Sequence, residues 1–111
     1  MSRAYEKQRV EKPIIAMLNM ADFKVFCANS GKVRVDNRFF SGTPAGTSDI
    51  IGCAPDGRFV AIECKYGDNK PTAIQLRFIE EMADRGAIAF WTNSTEDCLE
   101  KLQHFGLTLE R

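Results

Sequence analysis

The chain has one histidine, one tryptophan and no surplus of charge, with fifteen Lys and Arg against fifteen Asp and Glu in 111 residues. Proteins that coat nucleic acid without selectivity carry a basic excess, so that class is disfavoured. A local basic surface around an acidic site stays compatible with a sum of zero. The lone histidine, His104, falls late in the last predicted helix with no partner in the pattern and is assigned no chemistry. The cysteines Cys27, Cys53, Cys64 and Cys98 are scattered, with no short paired spacing. That excludes a zinc cluster of the usual kind and reads as reduced thiols, mostly among apolar neighbours. No apolar run approaches the roughly 20 residues of a membrane helix. The opening Met1-Ser2-Arg3-Ala4-Tyr5-Glu6 lacks the apolar stretch of a secretion signal. An intracellular, cytoplasmic protein without membrane contact is the expectation. There is no repeat, low-complexity tract or linker, and the length predicts a single domain over residues 1–111.

What is present is an alternation of helical and strand patterns. Val10, Ile14, Met17 and Leu18 recur at helical spacing and predict a first helix over residues 3–19. Pro13 interrupts it, either as a kink or as the first turn of a fresh helix. Residues 23–28 read as a strand, 29–31 as a turn and 32–35 as a short second strand. Residues 36–47 contain Gly42, Pro44 and Gly46 and predict an irregular loop. Residues 48–53 and 58–65 read as strands joined by Ala54-Pro55-Asp56-Gly57, a strong hairpin signal. A helix over 71–85, a buried strand over 87–91 and a last helix opening at Ser94 complete the order. An α/β fold follows, with a mixed sheet flanked by helices.

The chemistry gathers at the end of one strand. Phe59-Val60-Ala61-Ile62 is apolar and ends in Glu63-Cys64-Lys65. Alternation places Phe59, Ala61, Glu63 and Lys65 on one face and Val60, Ile62 and Cys64 on the other. A core strand rarely carries charge unless the charge is paired or bound to a metal. Asp49 opens the partner strand. Two carboxylates converging there repel unless a cation lies between them, and a hard divalent ion with oxygen ligands suits that position. Asp49, Glu63 and Lys65 therefore point to metal-assisted phosphodiester hydrolysis.

Other residues carry two readings. Gln75 either closes a capping box with Thr72 or faces the cluster from the start of its helix. Glu6 and Glu11 lie on the first helix and point in different directions, so only one can face the core. Tyr5, Lys32, Arg34, Arg38, Lys70 and Arg77 are candidate phosphate contacts, with a solvated surface as the default for each. Trp91 ends a strand and reads as packing.

Gly46-Thr47-Ser48-Asp49-Ile50-Ile51, the Pro55-Asp56-Gly57 turn, Ile62-Glu63-Cys64-Lys65 and the helical Gln75 together resemble the VRR-NUC branch of the restriction-endonuclease-like superfamily. Glu63-x-Lys65 matches that superfamily's E-x-K. The resemblance runs from the first helix to Gly86. It implies a restriction-endonuclease-like core of about four strands and metal-dependent DNA cleavage, leaving 5′-phosphate and 3′-hydroxyl ends. It also implies a first-helix glutamate, mapped to Glu6. Asp49 and Glu63 would hold Mg²⁺ or Mn²⁺ with the Cys64 backbone carbonyl, Glu6 would touch the ion through water, and Gln75 would steady Lys65 or the nucleophile. Small stand-alone members of this kind are similar to phage-encoded proteins and to Holliday-junction resolvases, which act as homodimers on branched DNA. The alternatives are a nuclease for flap, nicked or ordinary duplex DNA, a catalytically silent DNA-binding subunit, and a small α/β interaction protein with accidental charges at strand ends.

Overall fold

A computed structural model describes residues 3–28, 32–35, 38–41 and 43–109, with the backbone alone for 3–4, 32–35 and 38–41. The first helical stretch is continuous but not uniform: α1 (Arg3–Glu6), a π-helical segment (Lys7–Glu11) and α2 (Lys12–Met20) follow without a break. Lys12 N–H donates to Lys7 C=O, an i to i−5 bond. Pro13 sits in the first turn of α2. It has no N–H to offer Arg9, so the ladder is already interrupted where the wider turn ends. The proline thus lies just after a π turn rather than breaking the helix.

Four strands form the central sheet in the order β1 (Lys24–Cys27), β4 (Ile50–Cys53), β5 (Phe59–Cys64) and β6 (Ile88–Thr92). The β1–β4 and β4–β5 pairs are antiparallel and β5–β6 is parallel, which makes the sheet mixed. Between β4 and β5, Gly57 adopts φ +93° and its N–H donates to Ala54 C=O, so the predicted tight turn is present. The parallel β5–β6 pair needs a crossover, supplied by α3 (Ala73–Asp84). α4 (Thr95–Gln103) follows β6, with Ser94 Oγ accepting Asp97 N–H at 3.0 Å as its cap.

The predicted loop over 36–47 needs correcting. Arg38–Ser41 is a strand, β3, paired antiparallel with β2 (Lys32–Val35) in a separate two-stranded sheet. Glycine and proline in 42–46 dominated the sequence pattern, yet Arg38-Phe39-Phe40 has the aromatic content that favours pairing.

Period-two alternation divides the core between the two sheet faces. Val25, Ile50, Val60, Ile62, Cys64, Ile88 and Phe90 pack with Val10, Ile14 and Leu18 of the first helical stretch and Cys98 and Leu102 of α4. On the other face Ala61 and Ala89 meet Ile79 of α3, flanked by Phe78, Met82 and Trp91. The two alanines leave room for α3 to lie close to β5 and β6. Among the described residues no helix is long and apolar enough to cross a membrane.

On each outer edge of the central sheet one residue's backbone is met by a side chain. Asn19 Nδ2 donates to Val25 C=O at 3.0 Å and its Oδ1 accepts Val25 N–H at 2.9 Å, on the free side of β1. On β6, the Lys101 ammonium donates to Trp91 C=O. Open strand edges invite pairing with another chain, and these contacts blunt both.

Candidate functional site

The sheet places the central acid pair by register alone. Ile50 pairs with Ile62, and one step further the antiparallel ladder sets Asp49 across from Glu63, on the α3 side of the sheet. The segment before Asp49 is held down by a turn and a close approach. Thr47 N–H and Oγ1 both donate to Pro44 C=O, at 3.2 and 2.6 Å. Gly46 has φ +83°, and a Cβ on it would stand 2.5 Å from Ile74 Cγ2 and 2.7 Å from Ile74 O. Only glycine fits there, with the chain pressed against the first turn of α3.

Asp49 Oδ2 accepts the backbone N–H of Cys64 at 2.9 Å. The next peptide is oriented by Lys65 N–H, which donates to Thr92 C=O on β6 at 2.9 Å. Across a planar trans peptide the Cys64 C=O points the opposite way, toward the β4 side where Asp49 lies. The Cys64 side chain turns into the core on the other face and is fully buried. Burial pushes its thiol far above the ordinary range, as expected of an inert core cysteine.

Glu63 is 2% exposed. Lys65 Nζ stands 3.3 Å from its Oε2. Its Oε1 is buried with no hydrogen-bond partner among the described residues. Burial, and next the charge of Asp49, push the Glu63 carboxyl up to about 8, against the downward pull of Lys65. An isolated buried carboxylate is costly, and here a second one stands beside it, with the Lys65 ammonium against Glu63. A cation with oxygen preference would relieve both strains. Among the described residues no group of three or more His, Cys, Asp or Glu side chains gathers at metal-holding distance. Two carboxylates and a carbonyl nonetheless match the sparse protein ligation of Mg²⁺, which keeps several waters.

Two expected site residues are placed differently. Glu6 is half-buried, whereas Glu11 is 3% exposed, so the buried acid of the first helical stretch is Glu11. The π turn sets this phase, bringing Val10 and Glu11 inward together. Lys7 Nζ lies 3.7 Å from Glu11 Oε1 and 3.3 Å from Cys27 Sγ. The negative charges of Asp49, Glu11 and Glu63 all bear on the Cys64 thiol, which puts Glu11 on the helix side of the same strand end. The sequence named Glu11 as the alternative to Glu6, and α-helical geometry alone left open which of the two faces the core.

Gln75 takes the capping-box reading of its two. Its Oε1 accepts Thr72 N–H at 2.9 Å, and its own N–H donates to Thr72 Oγ1 at 3.3 Å. This capping box, not Lys65, takes the side-chain oxygen.

Of the candidate phosphate contacts, Lys32, Arg34 and Arg38 carry side chains outside the described residues, although β2 and β3 hold their backbone. Arg77 is exposed on α3. Tyr5 stacks on Tyr66 with ring centroids 5.6 Å apart, and Arg9 lies over Tyr5. Lys70 lies over the Trp91 ring, 5.2 Å from its centroid. Comparison with protein-family models, with curated proteins and with solved structures found no match.

Proposed function

We propose that this chain is a divalent-metal-dependent deoxyribonuclease of the VRR-NUC type, within the restriction-endonuclease-like superfamily, acting on branched DNA as a homodimer. The observation that carries the reading is the acid pair at the end of β4 and β5: Asp49 across from Glu63, whose Oε1 is buried and unbonded among the described residues, with Lys65 3.3 Å from its Oε2.

Asp49, Glu63 and the Cys64 carbonyl are the groups that would hold Mg²⁺ or Mn²⁺. Bound there, the ion supplies Lewis-acid polarisation of a phosphate oxygen and a more acidic water. The chain's own residues do the rest. Lys65 extends from the same strand face as Glu63 and donates toward the attacking water or the negative charge that develops on phosphorus. Water oxygen bonds to phosphorus, the P–O3′ bond breaks, and the water's protons end on the leaving oxygen and solvent. Asp49 fixes the Cys64 peptide through its N–H, so one carboxylate both carries charge and sets the backbone. Glu11 takes the place of Glu6 as the first-helix acid.

One centre cuts one strand, and symmetric cleavage of a junction needs two, which a two-fold dimer supplies.

The test is a substrate panel of four-way junction, flap, splayed arm and linear duplex, with Mg²⁺ or Mn²⁺, and sedimentation for the dimer. Cleavage lost in Glu63→Gln is the expected result. Full activity in that variant overturns the site, cleavage of flap or linear duplex in preference to the junction moves the substrate class, and binding without cleavage by the wild type leaves a DNA-binding subunit.

A further inference from the structure

Trp91 occupies a position that packing alone does not explain. The parallel β5–β6 register pairs it with Glu63. It shares the α3-side face with Ala61 and Ala89 and is only half-buried. Two ammonium groups lie against its ring, Lys101 at 4.4 Å and Lys70 at 5.2 Å from the centroid. Their situations differ. Lys101 is committed, ion-paired with Asp97 Oδ2 at 3.1 Å and bonded to Trp91 C=O. Lys70 is exposed, and within the described residues its one contact of this kind is the ring. An aromatic face orients an ammonium without neutralising it. Lys70 is thus a positioned cation whose charge no carboxylate among the described residues has taken up, on the loop that leaves Lys65.

We propose that Lys70, held over Trp91, is the docking point for a backbone phosphate of the DNA strand being cut, next to the phosphate at Asp49 and Glu63. This rests on the nuclease reading above and extends it to a second contact. The register suits the role: Trp91 pairs with Glu63, so the ring that holds Lys70 stands on the strand next to the one that carries the acid pair's glutamate. The ligand is a phosphodiester rather than a base, because the ring already carries two cations.

The chain has a single tryptophan, so emission excited at wavelengths that tyrosine does not absorb reports on this position alone. Full-length protein is titrated with unlabelled four-way junction and linear duplex in Ca²⁺, in place of Mg²⁺, while anisotropy of fluorescein-labelled DNA follows binding separately. DNA binding should change Trp91 emission in step with anisotropy. Lys70→Ala should weaken binding several-fold and lower the slope of log K against log salt by about 1. Lys70→Arg should restore both. Lys70 is exposed, so these variants keep the fold, which circular dichroism verifies.

Saturated anisotropy with unchanged Trp91 emission, or an unaltered salt slope in Lys70→Ala, overturns the phosphate contact. In that event cleavage that still depends on Glu63 leaves the nuclease reading standing. A wild type that neither binds nor cuts any of the DNAs removes both.

Discussion

Asp49 Oδ2 accepts the Cys64 N–H at 2.9 Å, so the carboxylate of one strand fixes the backbone of the strand that carries Glu63 and Lys65. Asp49→Ala would strand that N–H at a largely buried site, a loss of about 1–3 kcal/mol. Asp49→Asn keeps an acceptor and should hold most of that stability, yet it removes the charge. Both variants should lose cleavage, and urea unfolding should separate them. Equal destabilisation by the two would show that the hydrogen bond contributes little.

The raised carboxyl of Glu63 gives a pH signature in metal-free protein. Its folded value, about 8, lies above the ordinary 4.5. The folded state therefore holds the proton more tightly than the unfolded chain. That contribution is complete below pH 4.5 and is lost as pH rises through 8. Glu63→Gln has no charge to bury, so its melting temperature should gain on the wild type across this window in EDTA. The gain is about a few kcal/mol at most. Adding Mg²⁺ should narrow the gap by stabilising the wild type alone. Parallel melting curves from pH 5 to 9 would count against a strained, uncompensated Glu63.

Glu11 and Glu6 can be separated by charge-neutral substitution. Glu11→Gln should weaken Mn²⁺ binding by about tenfold or more, the usual scale for a polar group supporting a metal site. Glu6→Gln, at a half-exposed position, should leave both binding and stability nearly unchanged, within about 0.5 kcal/mol. Calorimetry of both variants decides which acid belongs to the centre, and a larger effect from Glu6 reverses the assignment.

These residues also show where sequence reading reached and where it stopped. Asp49, Glu63 and Lys65 were legible because strand alternation has a period of two and a tight turn fixed the register between them. The fold class followed from the same alternation, with the helix between β5 and β6 giving the parallel crossover. The choice between Glu6 and Glu11 was not legible, because a π turn shifts helical phase and no local composition announces one. Strand β3 was hidden by the glycines and proline that follow it. The edge contacts of Asn19 and Lys101 join residues that only the folded chain brings together, so a linear pattern contains no sign of them.

Gln75 gives a test of cap against catalyst. Its Oε1 and N–H are both engaged with Thr72. Gln75→Ala and Thr72→Ala should therefore destabilise by similar amounts, about 0.5–2 kcal/mol. Measured well below the melting temperature, Gln75→Ala should cut DNA at close to the wild-type rate. A fall in turnover with unchanged melting would return Gln75 to the active centre.

Asn19 satisfies both free backbone groups of Val25 at the outer edge of β1. Asn19→Ala leaves an N–H and a C=O facing outward beside an exposed Phe26, which is 53% accessible. Water can reach an edge, so the loss in stability should be modest, about 1 kcal/mol. The larger consequence is for association, since an uncapped apolar edge is a template for another strand. Light scattering at increasing protein concentration should show Asn19→Ala forming larger species than the wild type. Asn19→Asp retains the acceptor for Val25 N–H, loses the donor, and adds a charge to the edge, so it should associate less than Asn19→Ala while being comparably destabilised. If Asn19→Ala keeps the wild-type size at every concentration, the side chain is not what guards the edge.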